Sequence, residues 1–67
     1  MRDIIQFFEY NHLQSHLQQV SKPFHDLAHE MDNTLPVNPE SAVALRKLLE
    51  AKDAAVRSVV YREGSEK

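Results

Sequence analysis

Cysteine and tryptophan are absent from this chain, glycine occurs once and proline three times. Without cysteine there is neither a disulfide nor a thiolate metal site, a composition that suits a reducing cytoplasm. The shortage of glycine and proline points to helix rather than to turn-rich β structure. No apolar run approaches the roughly 20 residues of a membrane span. The opening MRDIIQFFEYNH carries Asp3 and Glu9 and has no long apolar stretch, so it does not read as a secretory signal. The expected location is therefore cytoplasmic, the host cytoplasm if the chain is phage-encoded. No basic tract exceeds two residues, and 8 Lys and Arg face 10 Asp and Glu, for a net charge of −2. Binding to long nucleic acid depends on many phosphate contacts and is not expected. A small anionic ligand needs only a few cations, which this balance permits.

What is present is apolar periodicity. The 67 residues suffice for one small domain, of a size that is marginal unless stapled or self-associated. The pattern divides the chain into an aromatic-rich lead-in (1–12), helix one (14–33), a turn (34–38), helix two (39–61) and a tail (62–67) expected to fray. In helix one Leu13, Leu17, Val20, Phe24, Leu27 and Met31 draw one apolar stripe at alternating helical spacing. Pro23 lies inside that stripe and predicts a kink or break near Ser21, which could cap a fresh start. Asn38, Pro39 and Glu40 read as N-cap, first helical residue and favourable first-turn charge. The short link predicts an antiparallel hairpin, so the fold class is all-α.

Helix two is apolar over a wide face. Leu45, Leu49, Val56 and Val60 mark one line, and Ala44, Leu48, Ala51 and Ala55 the next. The alanines permit close approach of another helix, and the width exceeds what one partner helix covers. Outer apolar lines of that kind mark a protein interface, so a homo-oligomer is expected.

Chemistry-bearing residues are few. His12 and His16 are four apart, as are His25 and His29. Such pairs on a helix can share a metal, but neither belongs to an HExxH pattern and neither has an evident third ligand. Neither pair is assigned as a metal site, and no cofactor is expected. Asp26, Glu30 and Asp32 read as a solvated face. No Ser-His-Asp order or phosphate-cradling glycine loop occurs, and a chain this small does not easily enclose a substrate. An enzyme is not expected. Phe7 and Phe8 read as packing residues and Tyr10 as a flat platform on which a base could stack. Lys22, Arg46, Lys47, Lys52 and Arg57 are the candidate phosphate partners. Arg57 equally suits a solvated helix C-terminus.

The order FEY, DLAHEMD, LPVNPE and SAVALRKLLEAKDAAVR resembles the phage hairpin domain shared by anti-CBASS and anti-Thoeris sponges. The resemblance spans residues 7–58. It rests on Phe8 to Tyr10, Leu27-Ala28 with Met31, Leu35-Pro36, Ala44-Leu45, and Ala54-Ala55 to Arg57. It implies a compact homo-oligomer, often a hexamer, that holds cyclic dinucleotides, cyclic trinucleotides or cyclic ADP-ribose isomers between protomers without cleaving them. The ligand-binding set it implies is Tyr10, Lys22 and Arg57, with Phe8 and His12 beside Tyr10. Two stretches, between Tyr10 and Leu27 and between Leu45 and Arg57, are each about one turn shorter than in the family. Either Lys22 or Ser21 therefore takes the position of the family's helix-one cation. The family's tryptophan in helix two is missing. The competing readings are a structural or adaptor oligomer that binds protein through its apolar faces, and a small toxin–antitoxin or regulator partner.

Overall fold

The computed structural model describes residues 2–65, with side chains to Tyr61. A 3-10 helix, η1 (Asp3–Phe8), precedes two long helices, α1 (Ser15–Thr34) and α2 (Pro39–Ser65). The helices form the expected hairpin, and η1 packs on both. The radius of gyration is 13.2 Å, against about 11 Å for a compact chain of this length. The excess reflects an elongated shape, 45 Å in its longest dimension, set by α2. At 1.5 Å per residue, α2 outruns α1 by about 10 Å.

The hairpin turn follows from its capping chemistry. The Asn38 side-chain oxygen accepts from the Ser41 backbone N–H at 2.9 Å, and Ser41 Oγ accepts from the Asn38 N–H at 3.1 Å. This is a reciprocal capping box with serine in the place usually held by Glu or Gln. Ser41 is buried. Asn38→Ala removes the first of these bonds. It should cost about 1 kcal/mol, read as a lower midpoint in urea unfolding at unchanged slope.

Helix one is continuous, so of the kink or break expected near Ser21 the break does not occur. Pro23 removes the bond to the Gln19 carbonyl, and both residues are exposed. Water can therefore satisfy the freed carbonyl, and the cost of the proline stays local. Ser21 is fully buried and caps nothing. The apolar stripe is also rotated from its expected line. Ser21 and Ala28 are the buried positions of α1, Phe24 and Met31 flank the core, and Leu27 is 44% exposed. The seam runs through small residues because η1 and α2 must both approach there. At the other end, α2 continues to Ser65, so residues 62–65 of the expected frayed tail are helical. Residues 66–67 lie outside the described residues.

The lead-in is a core element. Among the described residues four apolar ones are fully buried, Ile5, Phe8, Ala28 and Leu45, and two of them come from η1. In a 3-10 helix, positions i and i+3 eclipse, so Ile5 and Phe8 point together into the hairpin. Phe7, expected to pack, is turned outward and is 57% exposed. Leu48 and Leu49 flank this core within one chain rather than forming a free outer face.

Arg2 ties the lead-in to the link. Its guanidinium donates to the carbonyls of Leu35 (3.2 Å) and Pro36 (3.1 Å) and lies 3.7 Å from the Asp32 carboxylate. The Arg2 backbone N–H also donates to Asp32. A cation at this end of α1 complements the helix dipole and serves a carbonyl just past the last turn.

Candidate functional site

Tyr10 follows η1, where the chain leaves the core at Glu9 in extended conformation. A turn closed by the Leu13 N–H on the Tyr10 carbonyl, at 3.0 Å, leads towards α1. Gln18 braces that turn by donating to the Leu13 carbonyl at 2.7 Å. Buried Phe8, two residues earlier, anchors the segment from below. Tyr10 is thus held against α1 by chain on both sides, half-buried, with its ring edge-on to His25 at 5.0 Å.

Lys22 lies on the same helix one turn before Asp26 and pairs with it at 2.7 Å. The hydrogen bond from Lys22 to Asp26, reinforced by their charge attraction, raises the Lys22 pKa, and the Tyr10 phenol is near enough to add to the effect. The Asp26 carboxyl is correspondingly lowered, first by the bond from Lys22 and then by the contact with His25. The fold therefore brings Tyr10 and Lys22 together, with Asp26 and His25 between them. Lys22 and Asp26 are both exposed. Their pair is of the kind worth little in water, so exchanging Asp26 for another anion is cheap.

The other residues named from sequence are placed differently. Phe8 is fully buried and offers no ring face to a ligand; any part it plays is through the position of Tyr10. His12 is exposed in the turn after Tyr10. Arg57 is exposed on α2. Counted outward from the link, it stands level with about residue 16 of α1, roughly 9 Å along the axis from Lys22. Among the described residues no hydrogen bond or ion pair joins it to Tyr10 or Lys22. Arg46 and Lys47 are exposed, whereas the Lys52 side chain is largely covered and pairs with Asp53 at 3.0 Å.

Three surface clefts of about 270 to 290 Å³ lie along η1, between η1 and α2, and beside the link. None of the three is lined by Tyr10, Lys22 or Arg57. They sit at or below the lower end of ligand-pocket sizes.

One grouping was missed from sequence. Glu9 joins His25 and His29, with one potential ligand atom from each lying within 4.8 Å of the others. The histidine spacing was legible; the third donor was not, because Glu9 is sixteen residues from His25 and reaches it only when the lead-in docks. No family model, no curated protein and no solved structure matches this chain.

Proposed function

We propose that this chain is a sponge that binds cyclic oligonucleotide messengers between its own copies and holds them without cleavage, in the cytoplasm of a host cell. The observation that carries this reading is the chain of contacts that puts Tyr10 and Lys22 on one surface: Tyr10 edge-on to His25, His25 on Asp26, and Asp26 on Lys22. A braced aromatic ring shares this surface with a lysine whose described partner is a solvent-exposed carboxylate. An aromatic face and a cation are what a base and its phosphate require. A cyclic messenger repeats base and phosphate, and a site between symmetric copies repeats the platform and the cation in step. Arg57, farther along the hairpin, belongs in this scheme to a separate or larger ligand contact. The resemblance to the phage sponge family supports the same reading.

Assembly is part of the proposal. With four fully buried apolar residues among those described, Leu27, Val43 and Val60 are each left more than two-fifths exposed. Val43 also lines a mostly apolar cleft with Ile4, Ala42 and Leu45, flanked by Arg2 and Arg46. A second copy covering such surfaces converts them into core. Sedimentation should show a homo-oligomer, of hexameric size on the family's pattern, at micromolar concentration. Val43→Lys or Val60→Lys should shift it towards monomer with helix content retained, since both residues lie outside the intrachain core. A wild-type chain that sediments as a stable monomer at these concentrations sinks the assembly claim.

The exposed apolar residues favour one other reading, an adaptor oligomer that binds protein. Calorimetric titration with cyclic dinucleotides, cyclic trinucleotides and cyclic ADP-ribose isomers separates the two. Saturable binding to one class, with a matching rise in Tm, supports the sponge. No heat from any of them, with the oligomer intact, leaves the adaptor.

A further inference from the structure

The geometry points to a divalent transition-metal site, zinc by chemistry, formed by Glu9 from the lead-in and by His25 and His29 from α1. This inference does not depend on the sponge reading. Two imidazoles and one carboxylate are a donor set that suits zinc, and three protein ligands leave a fourth position for water or another donor. His25 and His29 stand one turn apart with ring centroids 4.3 Å from each other. Glu9 reaches them from across the interface between the lead-in and α1.

Two further observations favour a metal over a stack of neutral rings. The first is that His29 Nε2 is buried without a hydrogen-bond partner. An orphaned buried nitrogen is costly, and coordination removes the cost. The second is that His25 Nδ1 lies 3.1 Å from the Asp26 carboxylate. A carboxylate on one ring nitrogen orients the other for a metal and raises its basicity. His25 Nε2 is then the atom free to coordinate. Zinc bonds of about 2.0–2.1 Å set tetrahedral ligand atoms about 3.3 Å apart. The three donors lie within 4.8 Å of one another, and Glu9, the exposed one of the three, needs to close at most about 1.5 Å to reach that spacing. The site joins two segments that the sequence separates, so bound metal staples the lead-in to the hairpin. A small core gains most from such a staple.

The test uses the whole chain stripped of metal with a chelator. Titration with zinc chloride should give one site per chain and raise Tm by about 10–20 °C at a hundredfold excess over Kd, while magnesium should leave Tm unchanged. In wild-type protein, the ring resonances of His25 and His29 should shift on zinc addition, and those of His12 and His16 should stay. That reading needs no substitution, so it survives even if a variant fails to fold. His25→Ala and His29→Ala should each abolish the Tm rise, and Glu9→Gln should weaken zinc at least tenfold. The inference is overturned if zinc leaves wild-type Tm unchanged. It is also overturned if zinc moves His12 and His16 instead, or if folded His29→Ala binds zinc as tightly as wild type.

Discussion

Phe8→Ala should unfold the chain under conditions where the wild type is folded. Phe8 is the largest fully buried side chain, and with Ile5 it makes up half of the four-residue apolar core. Truncating a buried phenylalanine costs about 3–5 kcal/mol. A single core in a chain of this size supplies no more than about 3–5 kcal/mol in total. The loss therefore equals the stability available, and circular dichroism at room temperature should show most of the helical signal gone. Phe7→Ala, one residue earlier but exposed, should move the melting midpoint little, since surface substitutions stay within about 0.5 kcal/mol. Phe8→Leu should fall between the two. If Phe8→Ala melts with the wild type, η1 is not a core element and the docking of the lead-in is wrong. Self-association adds stability by mass action, so the comparison belongs at matched protein concentration.

Tyr10→Ala should weaken messenger binding by roughly ten- to a hundredfold, because base stacking on an aromatic ring is worth about 1–3 kcal/mol. Tyr10→Phe should keep most of the affinity, since stacking needs the ring and not the hydroxyl. Lys22→Ala should produce a similar loss and flatten the salt dependence. Two effects combine there: a phosphate loses its charged donor, worth about 1.5–3 kcal/mol, and the Asp26 carboxylate stays beside the site without its lysine. Asp26→Asn should do the opposite and bind at least as tightly as wild type, because it removes the carboxylate that competes for Lys22. Calorimetry reads all four variants, with sedimentation confirming that each keeps the wild-type assembly. Tyr10→Ala and Lys22→Ala both binding like wild type would place the ligand elsewhere on the chain.

The behaviour of α1 shows how far local pattern carries. Its existence and extent follow from apolar spacing, and the structure moves its boundaries by a single residue. The link is read equally well, because Asn38-Pro39 is a local signal whose partner, Ser41, lies within one helical turn. The rotation of the stripe is a different matter. Leu27 is more apolar than Ser21 or Ala28, and periodicity therefore places it inside. The seam goes to the smaller residues because two elements converge on that face, and side-chain volume then outranks hydropathy. That α1 does not break at Pro23 has a related reason: whether a helix breaks at proline depends on whether the freed carbonyl can be hydrated, which is a property of the face it lies on.

The candidate site divides along the same line. Tyr10 and Lys22 are recognisable as residue types suited to a base and a phosphate, and the His25–His29 spacing shows on inspection. That Phe8 is sealed in the core while Phe7 is open depends on the 3-10 geometry of the lead-in, which no apolar spacing announces. The clamp from Arg2 to the link and the approach of Glu9 to His25 and His29 both join segments far apart in the chain. Sequence by itself determined the two long helices and the turn between them, because those follow from contacts within a few residues and from composition. Only the tertiary structure decided which face of α1 is buried and which acid meets the histidines, because both depend on where the lead-in docks, and docking is settled by shape and volume across the whole hairpin.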